Sequence, residues 1–406
     1  MRRTPSHAAT DKQTFLSLFS GCGGFDLGFV QAGFQCLGAF DVESIAIDNH
    51  RANLRSPAHR VDLTDPTQFE TRLPRADIVI AGPPCQGFSR AGKRDPNDPR
   101  NSLLPLAAEI ALTANPRAIA IENVVGVISG KHSKHWERME SLLRLRGYKT
   151  TKLICNAEQL GVPQIRTRVV LLAWNTGSEN SLALPTAPRV TVGDALSGIC
   201  DSTPNQEPQP LPENSAAAKI AARIGPGQKL CNVRRSDAAV PTWAIPEVFG
   251  RTTAEERSVL EAMVILRRRN RRRDFGDADP VSARTVSNFL GRSASVLLAS
   301  LVLKDYVRKI GLLYDLTHTF NGKYRRLDKS SPSLTVDTRF GEPRYFLHPE
   351  MDRGFTVREA ARLQGFPDTF RFAGTPREQY RLVGNAVPPP MALAIAKLFR
   401  DRLLPS

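Results

Sequence analysis

The sequence predicts an α/β fold built around a parallel β-sheet with helices on both faces. Short apolar runs such as "TFLSLF" at 14–19 alternate with helical patterns along the first part of the chain, and such alternation is typical of a covered parallel sheet. The 406 residues suffice for one large domain or two ordinary ones. A hydrophobic share of 41% is that of a globular chain.

The predicted elements follow one another in chain order. After the strand at 14–19 comes a glycine-rich turn that leads into a helix, "SGCGGFDLGFVQAG". Further strands are predicted at "FQCLGAF", "ADIVIAG" and "RAIAIEN", with helices at "SIAIDNHRAN" and "LLPLAAEIALTA". We expect "YKTTKLICNA" and "RVVLLAW" to pair as a hairpin that closes the sheet.

The pattern divides the chain into three segments. Residues 1–190 carry the regular alternation, whereas residues 191–330 are irregular and include the linker-like stretch "DSTPNQEPQPLPENSAAA". We expect this middle segment to form a second, smaller domain. In residues 331–406 order returns, with an amphipathic helix in "GFTVREAARLQGFPDTF". In "QYRLVGNAVPPPMALAIAKLFRDRLL" a turn is predicted before a helix that begins near the prolines.

Charge and cysteine content narrow the function classes. The formal charge of +16 and the pI near 10.0 favour a polyanionic partner, nucleic acid first, although some basic proteins bind no anion. No apolar run approaches the roughly 20 residues of a membrane span, and the N-terminus lacks a secretory signal core. The six cysteines contain no CxxC pair, which indicates a reduced, cytoplasmic protein without a zinc knuckle.

The glycine turn and two strand-end acids indicate a cofactor site. Glycines between a strand and a helix let a ligand approach the backbone N–H groups closely. Asp41 follows the second strand, where a carboxylate can accept hydrogen bonds from a ribose, and Asp62 in "VDLTD" could accept from an adenine amino group. A tight turn with a helix cap explains the same residues without a ligand.

A thiol and a carboxyl are expected at the same sheet edge. Cys85 follows one strand in "IVIAGPPCQGFS" and Glu122 follows the next in "IENVVG". A thiolate attacks electron-poor carbon only if the charge that develops is stabilised, and a protonated carboxyl on a ring nitrogen would do this. Arg166 and Arg168 in "QIRTR" suit a carbonyl oxygen, a carboxylate or a phosphate. The alternatives without a catalytic role are that Cys85 is a small buried hydrophobic residue and that the two arginines form an exposed basic edge of the sheet.

In order and spacing, these segments resemble the motif series of the DNA cytosine-5 methyltransferases. The matching strings are "FSGCGG", Asp41, "GPPCQGFS", "ENV", "QIRTR", "TVREAARLQGFPD" and "VGNAVPP". The resemblance covers about residues 14–175 and 331–406 and leaves the middle segment unmatched. Because the strings occur as an ordered set, we interpret Cys85 as a nucleophile.

The resemblance implies a Rossmann-like domain that binds S-adenosylmethionine and a smaller target-recognition domain. Residues 1–190 would form the first part of the catalytic domain, 191–330 the target-recognition domain, and 331–406 a segment that returns to the catalytic domain. Members of the family flip a cytosine out of double-stranded DNA and use no metal. The compact chain resembles bacterial restriction–modification enzymes, which act as monomers beside a cognate endonuclease; an orphan methylase is equally compatible.

Residue roles follow from the resemblance by position. Cys85 would attack C6 of the cytosine, Glu122 would contact N3 and the amino group, and Arg168 would bind O2. Arg166 would support Glu122 or the DNA backbone. The positions that would line the cofactor pocket are Phe19, Gly21, Cys22, Gly23, Gly24, Asp41, Val42, Asp62, Leu63, Pro84, Leu103, Asn385 and Val387. Asp41 stands where Glu is commoner, and Val42 where an aromatic residue is common.

DNA contacts are predicted at three places. Gln86 and Ser89 lie in the segment that resembles the mobile catalytic loop, and Thr335 lies at the end of the recognition region. The arginine run "RRRNRRR" favours phosphate contact, although a solvated face would look the same. Its members are Arg267, Arg268, Arg269, Arg271, Arg272 and Arg273.

Three other functions are compatible with parts of the pattern. A tRNA cytosine-5 methyltransferase shares the catalytic motifs but typically has a "CFT" signature, which the sequence lacks. A silent DNA-binding regulator usually loses the nucleophile or the glutamate, and both are present here. A small-molecule methyltransferase would need neither the positive charge nor a second basic domain.

Overall fold

A computed structural model describes residues 12–69, 73–84, 98–176, 182–269, 271–272 and 278–404. The chain forms two compact units. The first unit contains Met1–Glu207, Ser330–Arg339 and Val357–Ser406, and the second contains Pro208–Lys329 and Phe340–Thr356. The first unit therefore extends beyond residue 190, and residues 340–356 belong to the second unit rather than to the returning C-terminal segment.

The first unit is built on a seven-stranded sheet in its described part, in the order β3-β2-β1-β4-β5-β7-β6. In this sheet β7 runs antiparallel to both of its neighbours, β5 and β6, and the other pairs are parallel. The strands β6 and β7 form the predicted hairpin. The strands are β1 (Thr14–Leu18), β2 (Gln35–Asp41), β3 (Ala58–Arg60), β4 (Ile78–Ala81), β5 (Ala118–Val124), β6 (Lys149–Asn156) and β7 (Thr167–Trp174).

Helices cover both faces of this sheet. They are α1 (Gly24–Gln31), α2 (Ser44–Leu54), α3 (Leu103–Thr113) and α4 (Ser133–Leu145). A five-residue helix, α5 (Val192–Leu196), follows later in the chain. Successive strand residues point to opposite faces, so Phe15 and Ala120 join one buried cluster while Leu16 and Ile121 join the other. This explains why the strands are continuous apolar runs.

The second unit consists of short helices and three small sheets in its described part. Its helices are α6 (Ala216–Ala221), α7 (Pro246–Phe249), α8 (Ala254–Arg269), α9 (Ala283–Leu290) and α10 (Ser295–Leu303). Its strands are β8 (Lys229–Cys231), β9 (Ala239–Val240), β10 (Val281–Ser282), β11 (Val307–Ile310), β12 (Leu313–Leu316), β13 (Asn321–Lys323), β14 (Arg325–Arg326) and β15 (Phe346–Leu347). The sheets are β10-β12-β11, β13-β8-β9 and β14-β15.

The C-terminal segment adds α11 (Val357–Leu363), α12 (Pro376–Asn385) and α13 (Pro389–Leu398) to the first unit. Two predictions for it were wrong. The helix α11 is buried on every side rather than amphipathic, because Arg358 hydrogen-bonds the carbonyls of Pro204, Pro367 and Phe370. The stretch predicted as a turn is α12, which starts with a capping box at Thr375.

The packing of α13 against α1 brings "VGNAVPP" to the glycine turn. A Cβ atom at Gly28 would lie 2.4 Å from Ala392 Cβ, so the two helices touch through this glycine. In the described part of the chain, the stretch Pro376–Leu403 is apolar and long enough to cross a membrane by composition. Its most apolar window is 78% buried in the fold, as in a core helix.

Candidate active site

The sheet has its topological switch between β1 and β4. From β1 the chain moves outward to β2 and β3, then returns to β4 on the other side of β1. Ligands bind outside the carboxyl ends of strands at such a point. Residues that follow β1, β2, β4 and β5 therefore share one edge, as the sequence predicts.

Asp41 ties the glycine turn to the end of β2. Its Oδ2 accepts a hydrogen bond from the Gly21 N–H (2.9 Å) and its Oδ1 accepts one from the Glu43 N–H (2.9 Å). Burial raises the pKa of this carboxyl, and these hydrogen bonds with nearby Arg381 oppose the rise. The carboxylate is thus held at the strand end.

The turn itself can be built only with small or strained residues. Phe19, Gly21 and Gly23 have positive φ values of 53°, 55° and 94°. A Cβ atom at Gly24 would lie 2.5 Å from Val387 O, which brings two predicted cofactor positions from opposite ends of the chain together. Burial raises the pKa of the Cys22 thiol to about 12, so Cys22 is no nucleophile at neutral pH.

Ser20 is a candidate site residue that sequence reasoning missed. It is 8% exposed, and its Oγ is buried without a hydrogen-bond partner among the described residues. Buried hydroxyls are normally hydrogen-bonded, so the unsatisfied Ser20 Oγ is a candidate hydrogen-bond partner for a ligand that binds at the turn. Its place inside "FSGCGG" was the signal that could have identified it.

Glu122 and Arg168 form an ion pair between β5 and β7. Arg168 Nε lies 2.9 Å from Glu122 Oε1, and the side chains are 14% and 11% exposed. The antiparallel register pairs Val124 with Arg168, which places the two charged side chains diagonally on one face. Burial raises the pKa of Glu122, and the charges of Arg168 and Arg166 partly oppose this rise.

Asn123 fixes the chain that leads to Cys85. Its side-chain Nδ2 donates to Pro83 O (3.2 Å), and the residue is 1% exposed. Asn123 was not predicted as a site residue, although it is the middle letter of "ENV". The predicted residues Cys85, Gln86 and Ser89 lie outside the described residues.

Arg166 binds backbone carbonyls of the C-terminal segment, which favours the first of its two predicted roles, support of Glu122, over contact with the DNA backbone. It is 4% exposed and donates to Val336 O and to Ala386 O, both at 3.1 Å. Gln364 donates to the same Ala386 O (2.7 Å) and to Val383 O (3.0 Å). Arg166 therefore supports Glu122 through its charge and the "VGNAV" segment through hydrogen bonds.

The remaining predicted cofactor positions differ in their exposure. Val42 is 54% exposed, whereas Leu63 and Val387 belong to the two buried clusters. Asp62 follows β3, and its Oδ1 accepts from the Thr64 N–H (2.9 Å) and hydroxyl (2.7 Å). Partly or largely exposed are Pro84, Leu103 and Asn385.

The arginine run divides into one buried and several exposed side chains. Arg267 is 3% exposed and its Nε lies 2.6 Å from Asp315 Oδ1, so the prediction that it contacts DNA was wrong. Arg268, Arg269, Arg271 and Arg272 are exposed, and Arg273 lies outside the described residues. Thr335 belongs to the first unit, where its hydroxyl donates to Ile165 O (2.7 Å).

Comparisons with known proteins identify the family. A model of the family described as C-5 cytosine-specific DNA methylase matches residues 13–400. The chain belongs to this family. Type II methyltransferase M1.HphI of Haemophilus parahaemolyticus is 31% identical over 95% of this chain and 86% of its own length. Type II methyltransferase M.XorII of Xanthomonas oryzae pv. oryzae is 31% identical over 94% and 82%.

Solved structures agree on the fold. An E. coli prophage protein, solved as a candidate DNA modification methyltransferase, superposes with a TM-score of 0.59 at 24% identity. The superposition covers 97% of this chain and 99% of that one. The first unit therefore has the Rossmann-like fold of S-adenosylmethionine-dependent methyltransferases, as the sequence predicts. Among the described residues, no cluster of His, Cys, Asp and Glu could hold a metal ion.

The residues at the switch point fit the cofactor that the family and fold imply, S-adenosylmethionine. Ser20 Oγ is an unsatisfied polar atom in the turn, and a Cβ atom at Gly21 would meet nothing within 4 Å. The Asp41 carboxylate and the exposed Val42 lie at the end of β2. The turn and the end of β2 thus offer a nucleoside a fixed carboxylate, open space and an apolar surface.

Proposed function

We propose that the protein transfers a methyl group from S-adenosylmethionine to C5 of a cytosine within a specific sequence of double-stranded DNA. The buried Glu122–Arg168 ion pair carries the proposal. The pair places a carboxyl group of raised pKa beside a guanidinium group. Both groups lie at the edge of the sheet, and the neighbouring Asn123 binds Pro83, two residues before Cys85 in the chain. A ring nitrogen and a carbonyl oxygen of cytosine are suitable partners for such a pair.

The protein's own groups have separate tasks in this reaction. The target cytosine is flipped out of the duplex, as chemistry on a base requires. The Cys85 thiolate forms a bond to C6, and the electron pair of the C5–C6 double bond moves onto C5. Glu122 holds a proton at N3 and Arg168 binds O2, so both stabilise the charge that develops in the ring.

Bound S-adenosylmethionine supplies the methyl group that C5 accepts. Phe19 to Gly24, Asp41, Val42, Asn385 and Val387 would hold it, and this range includes Ser20, whose Oγ has no hydrogen-bond partner among the described residues. The C5 proton then leaves to solvent, the C5–C6 double bond forms again, and the bond from Cys85 to C6 breaks. The thiolate is regenerated, and no metal takes part.

The names of the relatives, which are Type II methyltransferases, support a restriction–modification role. Methylation of every target site would protect the host DNA from an endonuclease that cuts the same sequence. The protein would act as a monomer in the cytoplasm, and direct contact with the endonuclease is not required.

Radiolabelled S-adenosylmethionine, mixed-sequence duplex DNA and bisulfite sequencing test the proposal. We expect 5-methylcytosine within one short recurring sequence. Cys85→Ser should abolish turnover and retain cofactor binding by calorimetry, because an alkoxide is far harder to form than a thiolate. Label at another atom of DNA, or near-normal turnover by Cys85→Ser, would contradict the mechanism.

A further inference from the structure

Five consecutive pieces of the second unit form a winged helix-turn-helix. The helix α8 is followed by β10, the helices α9 and α10, and the hairpin β11–β12. The strands pair antiparallel in the order β10-β12-β11, so the last strand lies between the other two. We infer that this module reads the target sequence, with α10 in the major groove. The inference rests on the proposed action on DNA and assigns the part of the chain that selects the site.

The angle and the turn between α9 and α10 are those of a DNA-reading pair. The helix axes differ in direction by 120° across a break at 291–294, and helix-turn-helix motifs have angles of about 90–120° with a short turn that often contains glycine. Gly291 caps α9 with φ 67°. Ser287 closes the turn, since its backbone oxygen accepts from Arg292 N (3.2 Å) and its Oγ from Ala294 N (2.9 Å).

The helix α8 holds the module rigid from behind. Val259 and Met263 on α8 are 0% exposed and share one buried cluster with Val286 on α9 and Leu298 on α10. At one end of α8, Glu256 accepts from Ser300 Oγ and Lys304 Nζ, both at 2.7 Å. At the other end, the Arg267–Asp315 pair ties α8 to the wing strand β12. A reading helix needs such fixed support.

The outward side of α10 is apolar and strongly exposed. Val296 is 81% exposed and Leu303 is 89% exposed, and Ala299 is exposed on the same side at helical spacing. At the tip of the wing, Leu312 is 88% exposed. Single exposed apolar residues need no explanation, but a group of them on one module indicates a partner surface.

Charge and chemistry favour DNA as that partner. The second unit contains 24 Lys and Arg against 15 Asp and Glu, and such an excess attracts phosphates. Beside the wing tip, the side chain of Lys309 is exposed, while its backbone pairs with Tyr314 in the wing. Val296 and Ala299 suit the methyl group of thymine, which apolar side chains contact in the major groove. The target sequence should therefore include at least one A·T pair read by α10.

Two charge-introducing variants and a matched control test the reading helix. Val296→Glu and Ala299→Glu place a carboxylate on the outer side of α10, and Glu is compatible with a helix. Leu145→Glu makes the same change at an 84% exposed residue of α4 in the first unit. Binding of target duplex is measured by fluorescence anisotropy, binding of S-adenosylmethionine by calorimetry, and oligomeric state by light scattering.

We expect Val296→Glu and Ala299→Glu to bind the duplex about tenfold or more weakly, with cofactor binding and oligomeric state unchanged. Leu145→Glu should behave like the wild type. Val296→Ala should relax the sequence preference at one A·T position, because it removes a contact with one base. Loss of a phosphate contact would instead weaken the binding of all sequences equally.

Three results would overturn the inference. These are an unchanged affinity of both α10 variants, an equal loss in Leu145→Glu, and a change of oligomeric state with DNA binding intact, which would make α10 a protein interface. A wild-type protein that binds cofactor but methylates no DNA would instead contradict the proposed function. The two failures can be told apart, because the proposed function is tested with the wild type alone and the inference is tested by comparing variants.

Discussion

Arg168 Nε lies 2.9 Å from Glu122 Oε1 at the edge of the sheet, and neither side chain is more than 14% exposed. The pair joins β5 to the single antiparallel strand β7, which puts two motifs from distant parts of the sequence on one face. Removal of Glu122 leaves the buried Arg168 charge without this partner, whereas removal of Arg168 leaves Glu122 with the charge of Arg166. Variants of this pair therefore need separate measurements of turnover and of the free energy of unfolding.

Glu122→Gln should lower turnover by about 10²-fold or more, because an amide cannot hold a proton on the cytosine ring as a carboxyl does. Steady-state methylation of a target duplex checks this. The matched control is Glu109→Gln, which breaks the exposed pair with Arg138 (3.3 Å) and should leave turnover unchanged. Unimpaired turnover of Glu122→Gln with intact DNA binding would remove Glu122 from the mechanism.

The raised pKa of Glu122 predicts a dependence of stability on pH. The folded protein holds the Glu122 proton more tightly than the unfolded chain, whose ordinary value is 4.5. The contribution of this group to the free energy of unfolding is therefore largest below 4.5, and it is lost as the pH rises through the raised folded value. Urea unfolding from about pH 4.5 to about pH 8 should show the wild type losing stability relative to Glu122→Gln. A wild type that gains stability relative to Glu122→Gln as the pH rises would contradict the raised pKa.

The sheet and its functional edge could be predicted from sequence because the signals are local. Buried parallel strands are unbroken apolar runs, and Asp41 and Glu122 stand at or near strand ends where glycine or charge interrupts these runs. The helix α12 could also have been predicted, since Thr375 and Glu378 form a capping box that is visible in the sequence.

Other features depend on tertiary contacts that no local pattern contains. The buried Arg267 looks like its exposed neighbours in the run, and only Asp315, far along the chain, distinguishes it. Arg358 is charged yet fully buried, because distant backbone carbonyls satisfy its guanidinium. The winged module was hidden for a similar reason, since β10 has only two residues and forms through pairing with β12.

Ser20→Ala should lower the affinity for the cofactor, whereas Ser17→Ala should lower the stability of the fold. Ser20 Oγ has no partner in the described protein, so its removal should weaken S-adenosylmethionine binding by about 3- to 10-fold with little change in stability. Ser17 Oγ donates to the buried Asp26 (2.9 Å), and its removal should cost about 1–3 kcal/mol of unfolding free energy. Calorimetry and urea unfolding of both variants check this. Loss of stability without loss of affinity in Ser20→Ala would exclude the ligand role.

Within the arginine run, Arg267→Ala should act on stability and its exposed neighbours on DNA binding. Asp315 keeps its 2.9 Å pair with Arg308, so we expect Arg267→Ala to cost about 3 kcal/mol, the lower end for a broken buried pair. Joint replacement of Arg268, Arg269, Arg271 and Arg272 with Ala should cost much less, about 1 kcal/mol, because these side chains are exposed and Arg269 loses its contact over the Phe289 ring (5.8 Å).

The fourfold variant should also bind DNA more weakly and with a flatter dependence on salt. Each phosphate contact that is lost lowers the slope of log affinity against log salt by about 0.9. Anisotropy titrations from about 50 to about 200 mM salt measure this slope. An unchanged slope would mean that the four side chains point to solvent when DNA is bound, and the positive charge that attracts the duplex would then have to come from elsewhere, such as Lys309 on the wing.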